Sequence, residues 1–175
     1  MNRLIIGLFL LLVIGGCDKS MKLSPVEKHD LFEEVREGGS DMLKKAIDSG
    51  MNPNLFLPDS GYLIFTATAY GNRTAIKMLI EAGADVNAKD EEGDGPLIVA
   101  ILGGRCEEAL LLLSAGADPN EMLPVESAKK SALGAEYFDK TARELYEMNK
   151  QISLQAPVNV WEKDKVCWLK VEKLM

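Results

Sequence analysis

Three columns of small residues recur through the chain at one spacing. Gly50, Gly83 and Gly116 lie 33 residues apart, as do Asn54, Asn87 and Asn120, and as do Gly38, Gly71 and Gly104. The apolar positions between them keep the same register: Leu43, Ile76 and Ala109; Ala46, Leu79 and Leu112; Ile47, Ile80 and Leu113. Glycine is only 15 of 175 residues, so columns this regular do not come from composition. A fixed period of this length means one small unit copied and stacked, each copy burying its apolar face against its neighbours.

Within a period the pattern is helical. Glu81-Ala82-Gly83-Ala84-Asp85-Val86-Asn87 closes an apolar helix that begins near Thr74, with Gly83 at the left-handed cap. Paired helices in a 33-residue period with a Gly-Ala-Asp-x-Asn tail resemble ankyrin repeats. The resemblance covers about residues 26–149 and implies an all-α solenoid of about four helix-turn-helix units with short finger loops. The units fall at about 26–54, 61–87, 94–120 and 123–149, leaving 150–175 as a tail or cap.

Ser24-Pro25-x-Glu27 offers an N-cap and a first-turn proline for a helix over Val26 to Glu37, followed by a second over Asp41 to Ser49. His29, Glu33, Glu34, Arg36 and Glu37 make the first helix polar outside, as an N-terminal capping unit needs. In the second unit Tyr62-Leu63-Ile64-Phe65-Thr66-Ala67 stands where ankyrin repeats carry Thr-Pro-Leu-His-x-Ala. In the third, Gly95-Pro96-Leu97-Ile98-Val99-Ala100 keeps the Pro-Leu and the Ala. Both lack the Thr and His, so the hydrogen bonding that stiffens the loop tips in the resembled family is missing. The fourth unit diverges. Leu123-Pro124-Val125-Glu126-Ser127-Ala128 reads as a first helix beginning early, with the preceding finger nearly deleted. A second helix over Ala135 to Met148 then restores the register, because Ala142, Leu145 and Tyr146 fall 33 after Ala109, Leu112 and Leu113, with Asn149 as cap. In the tail, Val158-Asn159-Val160-Trp161 and Val166-Cys167-Trp168-Leu169-Lys170-Val171 are rich in strand formers and permit a β-hairpin that covers the end of the solenoid or binds a partner.

The N-terminus reads as an address. Met1-Asn2-Arg3 is a short basic region, and the apolar run Leu4 to Ile14 is shorter than the ~20 residues a spanning helix needs. Val13-Ile14-Gly15-Gly16-Cys17 resembles the bacterial lipobox, which implies a signal peptide over 1–16, lipidation of Cys17 and a linker to residue 25. More than one acyl chain anchors stably where a single chain is reversible. Asp18 resembles the inner-membrane retention signal of enterobacterial lipoproteins, although the Lys19 beside it does not strengthen it, and an outer-membrane location stays open. Either membrane leaves the domain facing the periplasm.

Catalytic and metal-binding chemistry has little to stand on. The single histidine, His29, has no Ser or Cys motif beside it, no His/Cys cluster has metal-ligand spacing, and the glycines are helix ends rather than a phosphate loop. The expectation is no enzyme, no metal and no cofactor. A formal net charge of −7 disfavours nucleic acid and anionic surfaces as partners. With Cys17 lipidated, Cys106 and Cys167 remain; in an oxidising compartment they are a candidate disulfide, while two separate thiols is the plainer reading.

What remains is surface. Ankyrin proteins bind partners through finger tips and the open side of the first helices. Carried onto this chain, that rule selects Leu57, Pro58, Asp59 and Gly61 in the first finger, and Glu91, Glu92 and Asp94 in the second. Along the helices it selects Thr66, Ala69, Tyr70, Val99 and Leu102. The expectation is a monomeric, lipid-anchored protein that binds another protein. Small lipid-anchored ankyrin proteins resemble the immunity partners that some Gram-negative bacteria keep against secreted antibacterial effectors, phospholipases among them. An envelope scaffold or assembly factor bound to a resident protein is the alternative.

Overall fold

The computed structural model describes residues 22–58, 60–124, 137, 140–155, 167 and 169–175. Cys17, Asp18, Asp59, Trp161 and Trp168 lie outside these residues. The elements in chain order are α1 (Pro25–Arg36), α2 (Asp41–Asp48), β1 (Phe56–Leu57), β2 (Gly61–Tyr62), α3 (Leu63–Tyr70), α4 (Arg73–Glu81), α5 (Pro96–Leu102), α6 (Cys106–Ser114) and α7 (Ala142–Gln155). Helices pair as α1/α2, α3/α4 and α5/α6; the first helices α1, α3 and α5 stack in a row, and α4 packs on α6. This is the all-α solenoid expected from the period.

The core is the set of columns read from the sequence. Leu43, Ile76 and Ala109 are buried, as are Ala46, Leu79 and Leu112. The first helices add Leu31, Val35, Leu63, Ile64, Leu97 and Ile98. Each such aliphatic side chain contributes roughly 1.5–3 kcal/mol by leaving water. Ala67 and Ala100 are fully buried between packed helices, where a larger side chain would cost about 1–3 kcal/mol in overpacking.

The Gly-Ala-Asp-x-Asn tails form a hydrogen-bonded ladder between units. Asn54 Oδ1 accepts from the Asp85 backbone N–H at 2.7 Å, and Asn87 Oδ1 accepts from that of Asp118 at 2.8 Å. Within each tail the Asp folds the turn: Asp85 Oδ1 accepts from Asn87 N–H at 2.9 Å, and Asp118 Oδ1 from Asn120 N–H at 2.8 Å. The helix must end one step earlier, and Gly83, at φ +90°, supplies a conformation that L side chains rarely adopt. A second staple joins the first two units. Asn72 caps α4 by accepting from Ala75 N–H at 3.0 Å, and its amide donates to Val35 O at 3.0 Å and Gly39 O at 2.7 Å.

The fourth unit differs from the sequence expectation. In the first finger β1 and β2 pair Phe56 with Tyr62, and Leu63 N–H donates to Leu55 O at 3.0 Å. Two periods on, Met122 bridges Thr141, and Ala142 N–H donates to Glu121 O at 2.7 Å. Ala142 therefore takes the place of Leu63, so α7 is a first helix, and it packs on α5. The paired ends of the third finger are 19 positions apart (122 to 141) against six in the first (56 to 62), and the first helix expected over Leu123 to Ala128 lies outside the described residues from Val125 on. Ala142, Leu145 and Tyr146 are buried as the columns implied, but in the other helix of the unit. Residues spaced i, i+3, i+4 make the same apolar stripe in either helix, so the pattern could not distinguish them. Asn149 does not cap; α7 continues to Gln155. Its start is set by a capping box in which Glu144 N–H donates to Thr141 Oγ1 at 3.2 Å and Thr141 N–H donates to Glu144 Oε2 at 2.8 Å.

The tail is corrected too. Cys167 and residues 169–172 are helical, not a strand; the other proposed strand lies outside the described residues. Cys167 and Val171 are buried while Leu169, Lys170 and Glu172 are exposed, and a spacing of four is one face of a helix. A strand would have grouped 167, 169 and 171. A disulfide joins Cys167 to Cys106 at the start of α6, with the Cα atoms 6.1 Å apart, so the plainer reading of separate thiols does not hold. The closed loop separates the cysteines by 61 residues, for which loop-closure entropy gives about 4 kcal/mol.

Replacing Asn72 with Ala removes a helix cap and leaves two carbonyls without their side-chain donor. Urea denaturation is expected to show a loss of about 2–3 kcal/mol. The same change at Asn120, whose amide donates to Asp118 Oδ1 within its own turn, should cost about 1 kcal/mol or less.

Candidate partner-binding surface

The open side of the first helices forms a floor that changes character along the stack. In register, α1 and its cap contribute Glu33, Arg36 and Glu37, α3 contributes Ala69 and Tyr70 with Thr66 at the matching position, and α5 and its cap contribute Val99, Leu102 and Gly103. The floor runs from charged at the N-terminal unit to apolar at the third. Tyr70 is its most open large side chain, 55% exposed, with the Arg36 guanidinium 6.0 Å from its ring centroid. Arg36 also pairs with Glu33. Ala69, Val99 and Leu102 are half-buried beside it. Thr66 does not belong to this floor: it is 8% exposed, on the packed side of α3.

The fingers form the wall, and each is built differently. The first is a two-stranded ribbon with Phe56 and Tyr62 edge to face at 5.1 Å; Leu57 is half-buried against the core and Pro58 is exposed. Gly61, at φ +69°, turns the ribbon and leaves no side chain there. The second finger has no ribbon. Asp90 Oδ1 accepts from the backbone N–H groups of Glu92 at 3.0 Å and Asp94 at 2.8 Å, so this carboxylate holds the loop from within. Glu91 is exposed at the tip, whereas Glu92 and Asp94 are half-buried. The acidic run therefore divides into one organising residue, two flanking residues and one outward charge. The third finger presents Met122, 53% exposed.

Position 95, where the sequence lacks the family's Thr, is occupied from the next finger. The Glu121 carboxylate lies against Gly95, and a Cβ there would collide with it. Lys89 of the second finger pairs with Glu121 Oε1 at 2.5 Å. Burial pushes the Glu121 carboxyl above its ordinary value of 4.5, and the bond to Lys89 only partly offsets this. The second and third fingers are thereby tied at their bases, so the looseness expected from the missing Thr is countered at this finger by a residue 26 positions later.

Glu121 and Met122 were not singled out from sequence, and Arg36 was read only as part of the polar outer face of the first helix. Only Glu121 carried a usable signal there, as a lone charge in an apolar column with Leu55 and Ala88. His29 is exposed on α1. Among the described residues no group of three His, Cys, Asp or Glu side chains could hold a metal, and no helix is long and apolar enough to cross a membrane. Away from the floor, a groove of about 520 Å³ between α4 and α6 is lined by Arg73, Lys77, Glu107, Leu110 and Leu111, among others.

Comparison with known proteins agrees with this architecture. A family model for ankyrin repeats (3 copies) matches residues 31–122. An ankyrin repeat-containing protein of Schizosaccharomyces pombe is 39% identical over 71 residues, 40% of this chain and 34% of that protein. One from Treponema pallidum is 33% identical over 118 residues, 66% of this chain and 38% of that protein. Protein phosphatase 1 regulatory subunit 27 of Homo sapiens is 30% identical over 88 residues, 50% of this chain and 57% of that protein. The chain thus spans less than two thirds of the length of each of these relatives.

The Glu121 pKa fixes the sign of a pH effect. Because the folded value lies above the ordinary 4.5, the stability its proton provides is complete below 4.5 and is lost as pH rises through the folded value. Glu121→Gln removes that loss. The melting temperature of the variant relative to wild type should therefore increase between pH 4 and pH 7, read by circular dichroism; a difference constant with pH would contradict the assignment.

Proposed function

Because the chain belongs to the ankyrin-repeat family, whose repeats are a protein-interaction module, we propose that its floor and fingers bind one protein partner at the bacterial envelope. The observation that carries this reading is the apolar stretch of the floor, exposed Tyr70 with half-buried Val99 and Leu102, together with the outward Glu91 of the second finger. Buried aromatic anchors dominate binding energy at protein interfaces, and an exposed tyrosine on a rigid helix loses little entropy when it is covered.

In this reading Cys17 is the lipidated N-terminus and the domain faces the periplasm. The lipobox-like Val13-Ile14-Gly15-Gly16-Cys17 supports the anchor, and the Cys106–Cys167 disulfide suits an oxidising compartment. The linker Asp18 to Ser24 extends to at most about 25 Å, which would keep the floor near the membrane. Asp18 favours inner-membrane retention. A tethered, non-catalytic binder close to the bilayer suits an immunity protein that neutralises a secreted antibacterial effector acting there, such as a phospholipase. An envelope scaffold would share the anchor and the surface but would hold a resident protein.

The deciding experiment is a pull-down with the soluble domain from residue 18, against lysates of neighbouring strains expressing their secretion systems. Recovery of a non-resident toxin that kills only cells lacking this protein supports immunity; recovery of resident envelope proteins alone turns the reading to a scaffold. With the partner in hand, Tyr70→Ala and Leu102→Asp are each expected to weaken affinity at least tenfold, about 1.4 kcal/mol, whereas Lys77→Ala on the outer groove should change it less than twofold. Glu91→Lys tests the acidic tip: for a basic partner it should slow association at low salt, and an unchanged rate removes Glu91 from the interface. Cys17→Ser should abolish incorporation of labelled palmitate and release the protein from the membrane fraction.

A further inference from the structure

We infer that the Cys106–Cys167 disulfide is a redox-dependent lock that holds α7 and the base of the third finger, residues 119–123, in order by way of the C-terminal turn. Cys106 is the first residue of α6, the second helix of the third unit, and it is 5% exposed. Second helices lie side by side in this stack, as α4 and α6 do. The C-terminal turn, tied to the head of α6, therefore serves as the second helix of the unit that α7 begins. It covers that unit with Val171, fully buried, and with Glu172, which accepts from Lys150 Nζ of α7 at 2.8 Å.

Among the described residues these non-covalent ties are few. The Lys150–Glu172 pair is exposed and screened, and the entropy of ordering the last turn exceeds what buried Val171 and half-buried Met175 return. The disulfide supplies the difference by removing freedom from the open state. The order then passes along the backbone. Ala142 and Arg143, at the head of α7, donate to Glu121 O at 2.7 Å and Pro119 O at 3.0 Å, and Leu123 N–H donates to Lys140 O at 2.8 Å. The base of the third finger is thus built on α7. The first and second units make no such use of α7: their fingers are fixed by β1–β2 pairing and by Asp90.

Closing the lock is a thiol–disulfide exchange. The two cysteine thiols give up two protons and two electrons to a disulfide oxidant, which leaves as two thiols, and a dithiol reverses the reaction by becoming a disulfide itself. A consequence for partner affinity rests on the binding reading above; the lock itself does not.

Hydrogen exchange followed by mass spectrometry tests it on the soluble domain without a partner. Oxidised wild type, wild type reduced by dithiothreitol and the Cys167→Ala variant are compared, the variant covering the case in which the buried bridge resists reduction. Loss of the bridge is expected to speed exchange roughly tenfold or more in 142–155 and 119–123 and to leave 63–81 unchanged. Unchanged protection of 142–155 in Cys167→Ala would overturn the lock, and so would an equal rise in 63–81, which would make the bridge a global staple.

Discussion

No unit of this solenoid buries its apolar face alone. Leu63, Ile64 and Ala67 of α3 are buried because α1 and α5 flank that helix, and α5 in turn needs α7. Stability is therefore a chain of nearest-neighbour terms, and the polar bonds follow the same geometry: Asn54 to Asp85, Asn87 to Asp118, and Asn72 back to Val35 and Gly39 all cross from one unit to the next. The Gly-Ala-Asp-x-Asn tail carries more than the end of a helix. Its Asp closes a turn and its Asn reaches the next unit, so the tail sets the spacing of the stack.

A chain of neighbours has two ends, and they are solved differently. At the N-terminus α1 keeps Leu31, Phe32 and Val35 inward and turns His29, Asp30 and Arg36 to water. At the C-terminus α7 does the same with Ala142, Leu145 and Tyr146 inward and Arg143 and Glu144 outward, and the helical turn that carries Cys167 and Val171 stands beside it, fastened to α6 by a covalent bond. A short apolar turn contributes too little burial to dock by itself, and the disulfide makes up the difference there.

The fold was legible as far as the period held. Columns of Gly, Asn and aliphatic residues place α2 through α6 because backbone conformation and burial recur with them. Legibility failed where an insertion broke the count. Ala142, Leu145 and Tyr146 match the second-helix columns at 33 residues, yet the stripe they form is common to both helices of a unit; the decisive signal was local, in Thr141-Ala142-Arg143-Glu144, a capping box that fixes where a helix begins. The tail failed for a different reason. Val, Cys, Trp and Leu favour strands on propensity, but tertiary packing of Cys167 and Val171 on one side selects the helix.

For the candidate surface the family rule gives positions and not environments. Thr66 occupies a floor position and is buried, while Tyr70, one turn later, projects into the open. In the second finger four carboxylates lie within five residues, yet one of them is spent on the loop's own backbone, and Glu91 is the one that faces outward in full. Gly95 makes the same point from the other side. Its departure from the family Thr reads in isolation as a lost hydrogen bond. In the fold it is the space that admits Glu121, so that a carboxylate from the third finger, paired with Lys89, ties the second and third fingers together.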